Sequence, residues 1–360
     1  MSFEQIIRGI EADLAEKVKR LLSPTKKNIV FFCPTDTYYK QFGILPKKLA
    51  QKHQVILVKG LLPMPADFES QFTSIASVSW LVNTPEGTKQ IWIDIPEIDI
   101  IISVDFGEGI NANFLSKTAK RIYMPHSMLQ APNWSPYDYI IAPTKIFVED
   151  YKRIHPNHTN QLILGGYPKF DNSLAQTSTQ RPDRITFAST IRGHSQLSIT
   201  SLYAGYDANL LEWLLENTDQ KIAYRPHPAT YASDKVFKFY ELLKYRFANE
   251  PRLVFDEMPG SGFYDQTQIL ITDFSTTAYT FSFSTLRPSI FFAPLQGDKS
   301  IGKHIHRIGY VARNFQELKQ ILDKNEDKSS EIAAFRDECV FNVGRSEEAI
   351  CEAIDSFLCS

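Results

Sequence analysis

The chain has 360 residues, long enough for two domains, and its 43% hydrophobic content supplies sizeable cores. Its 39 basic and 41 acidic side chains give a formal net charge of -2, without the basic excess of a general nucleic-acid binder. No apolar run reaches the ~20 residues that cross a bilayer, and cysteines 33, 339, 351 and 359 lack CxxC spacing and read as free thiols of a reducing compartment.

Residues 3–22 place Phe3, Ile6, Ile7, Ile10, Leu14, Val18, Leu21 and Leu22 on one helical stripe, opposite Arg8, Lys17, Lys19 and Arg20. Such a helix either lies on a membrane surface or packs its stripe on its own domain, and the second reading is favoured. The segment has no apolar h-region, so no secretory signal is expected and a cytoplasmic location follows. Seven short apolar runs come next: 28–33, 54–59, 77–82, 98–105, 121–126, 137–143 and 161–168. Continuous Ile, Val, Leu and Phe with helical spacers predict buried parallel strands. The polar stretch 174–184 reads as a linker. A second series then runs through 185–190, 221–225, 252–256, 268–273 and 288–294, followed by amphipathic segments near 315–324, 330–338 and 346–358. The pattern predicts an α/β fold of two doubly wound, Rossmann-like domains facing across a cleft. The first covers 1–173 and the second 185–340, with a C-terminal helix in 341–360.

In open parallel sheets, ligands sit beyond the carboxyl ends of the strands. In "ILITDFSTTAYTF" Asp273 ends a strand, and Ser275, Thr276 and Thr277 open a helix. Their hydroxyls can cap that helix, and its dipole suits a diphosphate. Plain N-capping would need only one of them. In "YRPHP" Pro226 and Pro228 fix their own φ and bias Arg225 and His227 towards extended geometry. Arg225 can fork onto phosphate oxygens, and His227 can donate to a leaving phosphate. "FASTIRG" repeats the arrangement with Ser189, Thr190 and Arg192, which suggests an anionic ligand spanning several loops. In the first half, His126 follows a strand and is held by Pro125, where its imidazole can take a proton from an acceptor hydroxyl. A lone strand-end histidine is otherwise more often structural. Thr35, Asp36 and Thr37 follow the first strand and could line the acceptor side. Asp99 reads as a strand start, and His304 and His306 as loop residues without a third metal ligand. No GxGxxG, GxxxxGK[ST] or GxSxG pattern occurs, which disfavours a dehydrogenase, a P-loop NTPase and an α/β-hydrolase.

The stretches "YIIAPTKIFVEDY", "LILGGYPKFD", "ITFASTIRG", "YRPHP" and "ILITDFSTTAYTF", with "RPSIFF" after them, come in that order within roughly residues 120–295. In this order the chain resembles the CDP-glycerol (or CDP-ribitol) glycerophosphotransferase family, which builds teichoic acids and related capsular polymers. The resemblance implies a GT-B fold, no metal or other cofactor, and a nucleotide-activated donor held by the C-terminal domain. It also implies a glycan or lipid-linked acceptor and a peripheral place on the cytoplasmic face of the membrane. Carried over, His126 matches the acceptor-side base, Arg225 and His227 the diphosphate-binding pair, and Ser275 and Thr276 the hydroxyls beside the donor phosphate. Ser127 stands where the family usually has glycine, Ser189 where it usually has proline, and Thr280 near the place of an acidic residue. The expected reaction moves a glycerol-phosphate or related polyol-phosphate unit from a CDP donor to an acceptor hydroxyl. The alternatives are a glycosyltransferase with a CMP- or UDP-sugar donor, a nucleotide-sugar epimerase, and a two-domain binding protein that closes on a solute.

Overall fold

Strands made of continuous Ile, Val and Phe have no polar face to offer water, so each must be covered on both sides. A computed structural model of the chain shows this arrangement twice. It describes residues 3–33, 38–60, 64–78, 81–84, 87–104, 115–132, 137–158, 161–175, 182–190, 192, 200–232, 234–257, 262–273, 275–292, 302 and 304–359. Thr35 to Thr37 and linker residues 176–181 lie outside them.

The chain divides into two compact units, one of Met1–Asn172 with Cys339–Ser360 and one of Ser173–Glu338. In the first, strands β1 (Asn28–Cys33), β2 (Gln54–Lys59), β3 (Ser74–Ser77), β6 (Ile100–Val104), β7 (Lys120–Met124), β8 (Tyr139–Ile141) and β9 (Leu162–Ile163) form a sheet in the order β3-β2-β1-β6-β7-β8-β9. Its described pairings are all parallel, with Val30 between Ile56 and Ile101 at the centre. The run expected at 77–82 is divided between the end of β3 and an antiparallel hairpin, β4 (Leu81–Thr84) with β5 (Gly87–Gln90).

One face of this sheet packs Val30, Phe32, Ile56 and Ile101 against Leu14 and Val18 of α1 (Phe3–Lys19) and Phe147 and Tyr151 of α4 (Lys145–Ile154). Only the later part of α1 packs: Ile6 is 42% exposed and Ile10 36%. The other face packs Ile29, Phe31, Leu57 and Ile102 against Leu45 and Leu49 of α2 (Leu45–Leu49), Phe68 of α3 (Ala66–Glu69), and Ile350 and Ile354 of α11 (Ser346–Cys359).

In the second unit, β10 (Arg184–Ala188), β11 (Lys221–Arg225), β12 (Leu253–Phe255), β13 (Thr267–Thr272), β14 (Ser289–Phe292) and β15 (Gly309–Ala312) form a sheet in the order β12-β11-β10-β13-β14-β15, all parallel. Ile185, Phe187, Tyr224 and Ile271 pack against Leu211 and Leu214 of α6 (Thr200–Asn217), Tyr240 of α7 (Asp234–Arg246) and Leu318 of α9 (Phe315–Lys324). Strand β15 escapes the sequence pattern because its middle residues are only half-buried and it opens with a glycine. That glycine is steric: a Cβ at Gly309 would lie 1.7 Å from the Ser289 carbonyl oxygen on β14.

After α10 (Ser329–Cys339) the chain returns to the first unit, and the stretch from Gly166 to Asp171 is the socket that receives it. Gly166 adopts φ +87°, and a Cβ there would stand 2.4 Å from the Phe341 carbonyl oxygen, so only glycine lets the returning chain this close. Ser346 Oγ accepts from the Tyr167 amide at 2.9 Å. Asp171, at the start of α5 (Pro168–Ala175), accepts from the Gly344 amide at 2.8 Å and the Ser346 amide at 2.7 Å, which satisfies amino-end groups of α11. The carboxylate is buried and its bonds are charge-assisted, so Asp171→Ala should cost about 2–3 kcal/mol. A lowered urea midpoint at unchanged slope would report it, with Asp171→Asn recovering part of the loss.

Candidate active site

The strand order of the second unit reverses between β10 and β13, which places a crevice at their carboxyl ends. Asp273 follows β13 there. Its Oδ1 accepts from the Thr190 amide at 2.8 Å, across the reversal, and its Oδ2 accepts from Arg192 Nη1. Arg192 Nη2 donates to Asp207 Oδ1 at 2.7 Å, and the Tyr224 hydroxyl donates to Asp207 Oδ2 at 2.7 Å. Asp207 is wholly buried on α6, and such a charge is tolerated only when paired. Burial opposes charge on Arg192, but the two carboxylates outweigh it and hold its pKa well above the usual value.

Arg192 is thus shared between the Asp273 and Asp207 carboxylates, and the effect is to tie the β10–α6 turn to the end of β13.

Arg225 ends β11 and is also partnered. Its Nη1 donates to Asp256 Oδ2 at 3.0 Å, and its guanidinium lies 4.2 Å from the centre of the Phe263 ring. These two partners orient the fork. The Arg225 carbonyl accepts from the Ser189 amide at 3.2 Å, so the ends of β10 and β11 are joined as well. His227 lies two residues further on and is half-buried. Its carbonyl accepts from the Thr230 amide at 2.8 Å, at the start of the 3-10 turn Pro228–Ala232.

Of the three hydroxyls after Asp273, Ser275 makes the cap: its Oγ accepts from the Thr277 amide at 3.2 Å. Thr276 has helical backbone angles and makes no side-chain cap bond. Helix α8 (Thr277–Thr285) is buried from Ala278 to Ser284, so its dipole is little screened by water. Because α8 leaves β13 at the carboxyl edge, its positive end lies at that edge with Ser275, Thr276 and Thr277.

In the first unit His126 is exposed, just beyond β7, on a backbone that is pinned repeatedly. Its carbonyl accepts from the Tyr167 hydroxyl at 2.7 Å. Ser127 Oγ accepts from the Leu129 and Gln130 amides at 3.3 and 3.2 Å, so the serine forms a turn of its own. Thr144 Oγ1 donates to the Met128 carbonyl at 2.7 Å, Asp150 accepts from the Ala131 amide at 3.0 Å, and His155 Nε2 donates to the Pro132 carbonyl at 2.7 Å. The outcome is a solvent-facing imidazole on an immobilised loop, with its ring 5.8 Å from that of Tyr38.

Other candidates have local roles. Asp99 precedes β6 and accepts from Lys27 Nζ at 3.0 Å and the Asn28 amide at 2.8 Å. The His304 ring lies 5.6 Å from that of Phe335, and His306 is in the 3-10 turn Ile305–Arg307. Among the described residues no group of three His, Cys, Asp or Glu side chains could hold a metal ion. Sequence reasoning missed Asp207, Tyr224, Asp256, Phe263 and Tyr167. The single acid in the largely apolar "YAGYDANLL" is the signal that could have found Asp207.

The profile of the family described as CDP-Glycerol:Poly(glycerophosphate) glycerophosphotransferase matches residues 113–356, more than half of the chain. No curated protein matches it. Among solved structures, the wall teichoic acid polymerase TagF is similar with a TM-score of 0.60 at 16% identity, over 96% of this chain and 92% of that one. The UDP-GlcNAc 2-epimerase from Methanocaldococcus jannaschii, in complex with UDP-GlcNAc and UDP, is similar at 0.59 and 11% identity, over 91% of this chain and 99% of that one. S. aureus MnaA, solved with UDP, is similar at 0.59 and 12% identity, over 92% and 97%. At such identities the likeness establishes the fold, two Rossmann-like parallel sheets of GT-B type. The extent of the profile match establishes more: the chain belongs to the CDP-glycerol:poly(glycerophosphate) glycerophosphotransferase family.

Proposed function

We propose that the protein transfers a glycerol-phosphate unit from CDP-glycerol to a hydroxyl of a glycan or lipid-linked acceptor. The family match over residues 113–356 carries this reading, because it spans His126, the Arg225–His227 pair and the start of α8. In the proposed reaction the acceptor oxygen attacks the donor phosphorus that bears glycerol. A new O–P bond forms, the P–O bond to CMP breaks, and CMP leaves with the electron pair. His126 takes the hydroxyl proton. Arg225, His227 and the positive end of α8, with Thr276 and Thr277, offset the charge that develops on the departing phosphate. Arg192 and Asp273 act one step back, by stiffening the loops that carry these groups.

A lipid-linked acceptor would bring the enzyme to the cytoplasmic face of the membrane. No described helix is long and apolar enough to cross a membrane. The early turns of α1, with Ile6 and Ile10 exposed, are the candidate surface contact.

A second reading, with a sugar nucleotide as donor, is favoured by one observation. The epimerase solved with UDP-GlcNAc and UDP matches this fold about as well as TagF does, 0.59 against 0.60. Thermal shifts with CDP-glycerol, a CMP-sugar and UDP-GlcNAc separate the two, since a ligand that binds only the native state raises Tm. CDP-glycerol should give the largest shift, and a larger one from UDP-GlcNAc would replace the first reading with the second. His126→Ala should lower turnover by about 100-fold or more while keeping donor binding, as expected for loss of a general base. His227→Ala should lower turnover and weaken the donor-induced thermal shift together. Full turnover by either variant would remove that histidine from the mechanism. Asp207→Ala leaves Arg192 short of a partner in a buried site and should cost about 3–5 kcal/mol of stability, read from urea unfolding.

A further inference from the structure

Most of the bonds that pin the His126 loop come from nearby in the chain, from Ser127, Thr144, Asp150 and His155. One does not. Tyr167 reaches from the socket of the C-terminal helix to the residue that carries the imidazole, with its hydroxyl 2.7 Å from the His126 carbonyl oxygen. Tyr167 is 1% exposed. Its backbone is clamped on both sides, by Gly166 at φ +87° before it and by Pro168 at the start of α5 after it. Its amide donates to Ser346 Oγ at 2.9 Å, and Ser346 is fully buried at the first position of α11. The phenol therefore stands on the returned helix at one end and holds the His126 peptide at the other.

We propose that Tyr167 is a positioning residue for His126, and that α11 braces the reacting loop through it. The inference rests on the reading of His126 as the base. The carbonyl that Tyr167 holds sets the plane of the 126–127 peptide, and with it the direction in which the imidazole leaves the backbone. Proton abstraction tolerates little misplacement, since a shift of about 1 Å in a reacting group can cost about 100-fold. A buried phenol also requires a partner, and here that partner is the backbone of the reacting residue. The arrangement gives a reason for the chain to return after α10: the last helix supports a loop more than two hundred residues earlier.

Tyr167→Phe keeps the ring and its packing and deletes only the donor. Its kcat should fall about 10-fold or more, with the donor KM within about twofold of wild type and the urea midpoint little changed. The decisive comparison is with His126→Ala. In that background Tyr167→Phe should have no further effect on turnover, because the group it orients is gone. Wild-type kcat in Tyr167→Phe, alongside an inactive His126→Ala, would overturn the positioning role and leave the base reading standing. Full activity of His126→Ala would overturn the base reading itself. A further 10-fold loss in the double variant would show that the phenol acts elsewhere, and would also overturn the inference. Ser346→Ala provides the second variant should Tyr167→Phe not fold. It should lower kcat about threefold in wild type and not at all in His126→Ala, and an unchanged kcat in wild type would count against the brace.

Discussion

The Asp273 carboxylate closes the point where the strand order of the second unit reverses. It takes the Thr190 amide on one oxygen and the Arg192 guanidinium on the other, and through Arg192 it is coupled to Asp207 on α6 and the Tyr224 phenol on β11. Four separate segments thus share one buried network of charge. Such a network is costly to form and more costly to leave half-formed, so it fixes the relative positions of its members. The loops that carry Arg225, His227 and Ser275 all start from strands held by this arrangement. Arg225 repeats the principle on a smaller scale, with Asp256 and Phe263 as its holders.

In the first unit the His126 loop is held mainly by neutral bonds, with the Asp150 carboxylate on the Ala131 amide beside them. Around His126, hydroxyls and backbone carbonyls take the place of the buried ion pairs, and the imidazole stays in solvent. The difference suits the roles proposed for the two edges. A site for a diphosphate gains from fixed positive charge and a helix dipole, whereas a base needs an accurately aimed ring that the acceptor hydroxyl can reach.

Much of the fold was legible because wholly parallel sheets impose a demanding pattern. A strand covered on both faces must be apolar throughout, and runs such as 28–33 and 221–225 coincide with β1 and β11. Legibility failed where that demand relaxes. Strand β15 at the sheet edge is only half-buried, and the hairpin of β4 and β5 lies outside the parallel sheet, so neither carries the pattern. At the site, the strand-end polar residues could be read from position alone, since topology sends them to the carboxyl edge. Their partners could not. That Arg192 meets Asp207 depends on a helix fifteen residues later, whose packing face the sequence does not declare. The Gly-Tyr-Pro-Lys-Phe-Asp stretch read only as a family signature. Its physical work, receiving α11 and holding His126, depends on a part of the chain some 175 residues away.

The central claim is that the carboxyl edge of the second sheet binds the donor's diphosphate. The most direct measurement is a crystal structure of the protein soaked with CDP-glycerol. The two phosphorus atoms should lie beyond the ends of β11 and β13, with their oxygens within hydrogen-bond reach of Arg225, His227 and the Ser275–Thr277 segment. A fully occupied diphosphate bound away from that edge, with those groups untouched, would contradict the account.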